Sequence, residues 1–298
     1  MKFARALLFF VFPFSLNATQ AQDNPPLVIA LAGGQNVHAN LEAHECLREL
    51  ISETLQIESV LLAPAIRDIN EGMSRGAIDV AWTSNWSYAW LEVHWPGTYE
   101  PVLMSLNEDG QWGFYSIAIA RKDHGFTSLS EFAGKIFTFG SNRSQTGYHI
   151  PNLELPEALP DTHSDLWSFF SDVQYSKGHS ETIEKVANQV ADVGVVLSYG
   201  PTFETAFDRG PLRDAVDEGL INPDDLVEIW RSIPIPIGGV MVRSDLDPSV
   251  RRPLIALLKD MQTSHPDCAQ SVLGGDENGF REPIPGVWDP MIEVRRSN

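Results

Sequence analysis

Hydroxyl and amide side chains gather directly after a short apolar segment in the middle of the chain. Residues 136–139 alternate aromatic and β-branched types as a strand does, Gly140 ends the run, and Ser144, Gln145 and Thr146 follow. A helix after this loop would direct free backbone N–H groups and its positive dipole end at the loop. That arrangement holds phosphate, sulfate or carboxylate. An ordinary N-capping loop uses the same residue types, so this stretch alone leaves both interpretations open.

Two other groups of residues could contact such an anion. His179 follows Gly178 just before a predicted helix, where its imidazole could reach a ligand; a loop histidine bonded to the backbone is the alternative. Ser84 and Trp86 lie among tryptophans and a tyrosine at the carboxyl end of a predicted strand, where ligands collect in open α/β sheets. Aromatic residues with polar tips line clefts more often than they fill cores, although a core role is the alternative here.

The sequence has none of the motifs that would indicate catalysis. It lacks a Gly-x-Ser-x-Gly elbow, a His-Glu-x-x-His pair and a glycine-rich loop ending in Gly-Lys-Ser or Gly-Lys-Thr. His38 and His44 are six residues apart, which places them on different faces of a helix. We therefore expect no catalytic residues, no metal and no cofactor, and a secreted hydrolase is the least favoured interpretation.

The N-terminus and the charge indicate an exported protein. Lys2 and Arg5 precede an apolar run over residues 6–16, and Thr19 and Ala21 form a small-residue cleavage site, which predicts a signal peptide over residues 1–21. The formal net charge of −19 argues against nucleic acid or an anionic membrane as a partner. An anion site must therefore work through a few local donors.

The order of predicted elements is that of an α/β protein with two similar lobes. The apolar strand Leu27–Leu31 leads into a helical pattern. Gly76–Trp82 and Gln189–Val196 both place Asp-Val where a helix passes into a strand, a short match that chance could also produce. Ser180 is a candidate N-cap for the helix that follows it. The prolines of Ser232–Val242 predict an extended segment that crosses between lobes instead of a central strand.

Cys46 and Cys268 are the two cysteines of the chain and lie near its opposite ends. In an oxidising compartment they could form one disulfide, which would place the first and last helices in the same lobe. Two buried free thiols are the alternative, because free cysteine is commonly a small core residue.

Five short motifs follow one another along the chain: Gly76–Trp82, Tyr115 with Arg121–Asp123, Ser144–Pro151, Gly178–His179 and Ser232–Pro236 before Arg243. Their order resembles that of the periplasmic phosphonate- and phosphite-binding proteins of ABC importers, and the similarity spans almost the whole mature chain. The resemblance implies a two-lobed, type II periplasmic-binding-protein fold with a mixed sheet in each lobe, two crossover strands and a cleft that closes on its ligand. Residues 22–118 and 236–298 would form lobe 1, and residues 119–235 lobe 2. A monomer in the periplasm that delivers its ligand to a membrane permease is expected.

The same resemblance implies a set of ligand-binding residues. The hydroxyl-rich loop would grip the phosphonyl oxygens, with further donors from Tyr115 and His179. Ile66, Tyr199 and Gly238 stand where aminoalkylphosphonate binders have a cleft tyrosine and two acidic residues, so a ligand with an ammonium group is disfavoured. The leading hypothesis is a binding protein for a phosphonate or phosphite; the alternative is a sulfonate or an organic zwitterion held in an aromatic cleft. The predicted ligand-binding residues are Ser144, Gln145, Thr146, Tyr115, His179, Tyr199, Ser84 and Trp86.

Overall fold

The computed structural model describes residues 25–31, 37–107, 110–273 and 279–297; the predicted signal peptide lies outside them. The strands in the described residues are β1 (Leu27–Leu31), β2 (Ser59–Leu62), β3 (Val80–Ser84), β4 (Tyr99–Ser105), β5 (Gly113–Arg121), β6 (Ile136–Phe139), β7 (Asp172–Tyr175), β8 (Val193–Ser198), β9 (Leu226–Arg231), β10 (Ile235–Pro236), β11 (Gly238–Arg243) and β12 (Phe280–Arg281). The helices are α1 (Val37–Leu55), α2 (Ile66–Ser74), α3 (Asn85–His94), α4 (Ile150–Glu154), α5 (Leu166–Phe169), α6 (His179–Ala187), α7 (Pro211–Asp217), α8 (Pro248–Ser264), α9 (Pro266–Leu273) and α10 (Asp289–Arg296). Among the described residues, no helix combines the length and the apolar content needed to cross a membrane.

The first sheet has the strand order β12-β4-β11-β3-β1-β2. Strand β1 is parallel to β2 and β3, whereas β11 is antiparallel to both β3 and β4. One apolar core lies between the sheet and helices α1, α8 and α9, and a second lies under α2, α3 and α10. Cys46 in α1 and Cys268 in α9 form a disulfide, so the first of the two alternatives for the cysteines is the one observed.

The second sheet has the order β10-β5-β8-β6-β7, with β9 also paired to β5. Strand β6 is parallel to β7 and β8, and β5 is antiparallel to its neighbours. Phenylalanines dominate the core on one face, whereas α6 and α7 cover the other face with aliphatic side chains. Two mixed sheets flanked by helices are the predicted two-lobed architecture.

The second connection between the sheets changes partner at Ile237. Ile235 and Pro236 pair with β5 in the second sheet, and Gly238 pairs with Ser84 in the first. The prediction that Ser232–Val242 is not a central strand is therefore wrong for its second half, because β11 lies between β3 and β4. The last proline of this segment is Pro236, so every residue of β11 has the N–H that a central strand requires.

Strand β5 bears on the division into lobes. It begins at Gly113, and its residues pair with β8, β9 and β10 of the second sheet. The predicted end of the first segment of lobe 1 at residue 118 would cut this strand in the middle. We propose instead that the boundary lies before Gly113, in the connection that follows β4.

The repeated Asp-Val motif has the same structural role in both lobes. The Asp79 carboxylate accepts a hydrogen bond from the Val28 N–H of β1 at 2.8 Å, and the Asp192 carboxylate accepts one from the Ile136 N–H of β6 at the same distance. Three residues before each aspartate, Gly76 and Gln189 adopt left-handed backbone conformations with φ of 66° and 59°. Each lobe therefore uses one helix-to-strand turn to fix its central parallel strands.

Candidate functional site

The hydroxyl-rich loop leaves β6 and enters a π-helical turn over Gln145–His149, which continues as α4. The Gly140 N–H donates to the Gly147 carbonyl at 2.8 Å, and the Ser144 side chain caps the turn by accepting from the Gly147 N–H at 2.9 Å. Pro151 has no N–H to offer the Gly147 carbonyl four residues earlier, so this carbonyl is available to Gly140. Pro151, in the first turn of α4, thus shapes the loop that precedes the helix.

Thr146 and His179 meet at the base of this loop. The Thr146 hydroxyl lies 3.2 Å from Nε2 of His179, and Nδ1 of His179 is buried without a hydrogen-bond partner among the described residues. Burial lowers the pKa of His179 to about 4, so the imidazole is neutral at neutral pH. A buried nitrogen without a hydrogen-bond partner is costly.

Two serines that the sequence analysis did not select hold the loop in place. The Ser116 hydroxyl in β5 donates to the Thr146 carbonyl at 2.6 Å, and the Ser116 N–H donates to the Ser232 hydroxyl at 3.0 Å. Ser116 is fully buried within an otherwise apolar strand, and that isolated polar residue was the available signal. The loop is therefore tied to the crossover that joins the lobes.

Helix α6 begins at His179 itself, with Gly178 as its N-cap, so the expectation that Ser180 caps this helix is wrong. The Glu181 carboxylate accepts from the Lys177 N–H at 2.9 Å and steadies the preceding turn. Ser180 is left as an exposed residue of the first turn. Because α6 begins at His179, the imidazole of His179 and not the hydroxyl of Ser180 contacts Thr146 from the helix N-terminus.

An arginine guanidinium lies over the ring of each tyrosine that the sequence analysis predicted to bind the ligand, Tyr115 and Tyr199. Tyr115 pairs with Ser198 across β5 and β8, so Tyr199 follows directly beside it. The Arg231 guanidinium lies 4.7 Å from the centre of the Tyr115 ring, and that of Arg209 lies 4.4 Å from the centre of the Tyr199 ring. A guanidinium group therefore already occupies a face of each ring, which leaves less of that face for a cation–π contact with a ligand ammonium group.

The remaining predicted residues form contacts between the lobes. Trp86 of α3 stacks on His149 of the second lobe with ring centres 5.2 Å apart, and the Arg295 guanidinium lies 4.7 Å from the Trp86 ring centre. The Gln145 amide lies 3.2 Å from the sulfur of Met291 in α10. Trp86 and Gln145 therefore bring the two lobes together beside Thr146, and both are already in contact with protein groups.

Ser84 lies at the first lobe's side of the cleft, where it caps α3 by accepting from the Ser87 N–H at 3.2 Å. It lines a cavity of about 310 Å³ together with Trp82 and His44. Gly238 stands opposite Ser84 with φ of 144°, and a Cβ there would lie 2.5 Å from the Thr83 carbonyl oxygen. An acidic side chain therefore does not fit at position 238. Ile66 is the first residue of α2, and its side chain is outside the described part of the structure.

A larger cavity of about 410 Å³ lies between α4 and α10. Three carboxylates line it, from Glu154, Glu157 and Glu293, and burial raises the pKa of Glu154 to about 7. The Arg231 guanidinium also lines it but is paired with Glu228, so the carboxylates dominate and the lining does not suit an anion. Within the described ranges, no three His, Cys, Asp or Glu side chains come together in a way that could hold a metal ion.

Comparison with known proteins identifies the class to which this architecture belongs. Residues 35–280 match the model of the family described as the periplasmic substrate-binding protein of phosphonate ABC transporters. The chain belongs to this family, which consists of substrate-binding transport proteins and not of enzymes. The family is periplasmic, and its members serve a membrane permease.

Individual relatives agree with this assignment. The phosphate-import protein PhnD of Mycolicibacterium smegmatis is 27% identical over 185 residues, a match that covers 60% of this chain and 54% of that protein, or about half its length. A protein of Xanthomonas citri with bound ATP has a similar fold, with a TM-score of 0.58, 20% identity and coverage of 91% of this chain and 97% of the other. PhnD1 of Prochlorococcus marinus in complex with methylphosphonate has a TM-score of 0.52 and 16% identity, with coverage of 91% and 97%. These structures support the type II binding-protein fold.

Proposed function

We propose that this protein captures a small phosphonate-type oxyanion, a phosphonate or phosphite, in the cleft between its lobes and delivers it to an ABC permease. The observation that carries the proposal is the buried Nδ1 of His179, which has no partner among the described residues and belongs to the imidazole that contacts Thr146. The neutral imidazole has one N–H: with Nδ1–H donating to a phosphonyl oxygen, Nε2 accepts the Thr146 hydroxyl hydrogen, and the Ser144 hydroxyl supplies a second donor to the oxyanion. The protein would act as a monomer in the periplasm.

The donors are neutral, so the proposed site depends on hydrogen bonds more than on net charge. Hydrogen bonds to a charged acceptor contribute about 1.5–3 kcal/mol each when they are shielded from water. Closure of the lobes would provide that shielding, and the Trp86–His149 stack shows that the two sides already meet beside the loop. The oxyanion would then be held without a bound metal or a catalytic group.

The test is isothermal titration of the purified protein with phosphite, methylphosphonate, 2-aminoethylphosphonate, phosphate, sulfate and taurine. The double variant Ser144→Ala, Thr146→Ala should weaken binding of a phosphorus oxyanion by roughly 100-fold or more, because the Ser144 donor is lost and His179 loses the hydroxyl that holds it in the donating tautomer. The control is Ser130→Ala, Thr162→Ala, which removes two exposed hydroxyls of the same lobe and should leave affinity unchanged. Binding of taurine or sulfate alone, or unchanged affinity in the Ser144 and Thr146 double variant, would overturn the proposal.

A further inference from the structure

The cavity of about 410 Å³ between α4 and α10 has one wall from each lobe. Leu153 and Glu154 of α4 belong to the second lobe, whereas Pro290 and Glu293 of α10 belong to the first. Ile233, in the crossover between the lobes, also lines the cavity. A movement that separates the lobes at this point would therefore open the cavity to water.

Apolar contacts hold the two walls together beside the hydroxyl-rich loop. Ile150 at the start of α4 belongs to one buried cluster with Met291 and Val294 of α10 and with Ile235 of the crossover. The sulfur of Met291 also lies 3.2 Å from the Gln145 amide in the loop. The packing of α4 on α10 is therefore part of the contact between the lobes, and the loop takes part in it.

Glu154 is linked to the same loop through the crossover. Its carboxylate accepts a hydrogen bond from the Ile233 N–H at 3.3 Å. The neighbouring Ser232 hydroxyl donates to the Ile233 carbonyl at 2.7 Å and accepts from the Ser116 N–H at 3.0 Å. The Ser116 hydroxyl then donates to the Thr146 carbonyl at 2.6 Å. Glu154 thus stands at one end of a chain of contacts that leads over the crossover to the loop.

The charged groups that face Glu154 come from three elements. Glu157, in the turn after α4, and Glu293 of α10 contribute carboxylates to the cavity. The Arg231 guanidinium of β9 lines it as well, but it forms an ion pair with Glu228 at 2.6 Å. An ionised Glu154 therefore adds a negative charge to a partly enclosed space that already holds carboxylates from both lobes.

Protonation of Glu154 removes this charge at a pH that depends on whether the lobes are packed. Burial raises the pKa of Glu154 from 4.5 to about 7; the Ile233 N–H opposes the shift, and the Glu157 carboxylate adds to it. Water would reach the carboxyl group if the lobes separated, and its pKa would fall toward 4.5. A proton binds more tightly to the arrangement with the higher pKa, so protonation favours the packed lobes at pH 6, and this preference is lost as the pH rises through 7.

We propose that proton uptake at Glu154 favours the packed arrangement of the two lobes and that the protein therefore binds its ligand more tightly in mildly acidic than in mildly alkaline medium. The first half concerns the lobes themselves, whereas the second half rests on the proposed function, because it needs a ligand that binds the packed form. The two pKa values allow the preference for the packed form to change by up to about tenfold between pH 8 and pH 6.

Calorimetric titration with methylphosphonate at pH 6, 7 and 8 compares the wild type with Glu154→Gln. Glutamine carries no charge at any of these pH values, and its amide oxygen can still accept the Ile233 N–H. The ratio of the two dissociation constants is independent of the ionisation of the ligand itself. At pH 8 the variant should bind at least threefold more tightly than the wild type, and at pH 6 the two should bind equally. Glu184→Gln, at an exposed glutamate of α6, is the control and should follow the wild type at every pH.

The proposal and the proposed function fail in different ways. A ratio of dissociation constants that changes by less than threefold between pH 6 and pH 8 would overturn the role of Glu154 and leave the proposed function intact. Absence of binding to every phosphorus oxyanion would overturn the proposed function alone.

Small-angle X-ray scattering of the ligand-free protein decides the matter if methylphosphonate does not bind. The radius of gyration of the wild type should be smaller at pH 6 than at pH 8, and Glu154→Gln should keep the lower value at both. A wild-type radius of gyration that does not change with pH, or a change that Glu154→Gln shows equally, would overturn the proposal.

Discussion

Replacement of His179 by glutamine should remove a loss of stability that we expect for the wild-type protein in mild acid. The imidazole is buried beside Thr146, and burial lowers its pKa from 6.5 to about 4. Between these two values the unfolded chain binds a proton that the folded chain does not bind. The contribution of His179 to the free energy of unfolding therefore falls as the pH is lowered through this window and rises again as the pH increases.

The two pKa values determine the size of this effect. At pH 5 the unfolded histidine is almost fully protonated, whereas the folded one is still mainly neutral. The resulting linkage lowers the free energy of unfolding by about 2 kcal/mol at pH 5 relative to pH 7, with a limit of about 3 kcal/mol below pH 4. Glutamine does not titrate, and its amide can still form a hydrogen bond with the Thr146 hydroxyl.

Urea unfolding of the wild type and of His179→Gln at pH 5, 6 and 7 measures the effect. The informative quantity is the difference between the two proteins at each pH, because other groups also titrate. The raised pKa of Glu154, about 7, acts in the opposite direction, since its contribution to stability is lost as the pH rises through that value. His94→Gln, at an exposed histidine of α3, is the control for the substitution itself. If the difference in free energy of unfolding between wild type and His179→Gln stays constant within about 0.5 kcal/mol from pH 5 to pH 7, the reasoning is refuted.

Two further substitutions test how the fold is held together. Cys46→Ser should lower the free energy of unfolding under oxidising conditions by about 2–5 kcal/mol, because the disulfide to Cys268 closes a loop with a sequence separation of 222 residues; equal stability of the wild type with and without reductant would contradict this. Gln189→Gly should raise the free energy of unfolding by about 0.5–1 kcal/mol, since it relieves a left-handed backbone conformation with φ of 59°. Asn188→Gly, at φ of −88°, is its control and should destabilise the protein in the same urea titration.

Local chemistry was sufficient to predict the hydroxyl-rich loop and the two α/β lobes. Apolar alternation, a glycine and a cluster of hydroxyl groups predicted the order of β6, loop and helix, and the structure has that order. The repeated Asp-Val pair predicted two similar lobes because each aspartate satisfies a backbone N–H of a neighbouring strand. Such features depend on neighbours in sequence, or on one recurrent turn, and so they can be read without the tertiary structure.

Contacts between distant segments could not be predicted in the same way. The sequence shows that Trp86 is aromatic and close to a strand end, but not that its ring lies between His149 and Arg295. Residues 149 and 295 reach Trp86 only after both lobes have folded and α10 has returned to α3. Ser116 was missed for the same reason, since its hydroxyl is useful only because the Thr146 carbonyl comes within 2.6 Å of it.

The proposed site would bind an anion although the chain has a formal net charge of −19. The arginine nearest to Tyr115 is already neutralised, because Arg231 forms an ion pair with Glu228, and His179 is uncharged at neutral pH. Selectivity for an oxyanion must therefore come from the direction of the neutral donors at Ser144 and at His179, whose tautomer Thr146 fixes. Such donors discriminate by geometry. 2-Aminoethylphosphonate and taurine differ in the anionic head alone, so a comparison of their affinities tests these donors directly.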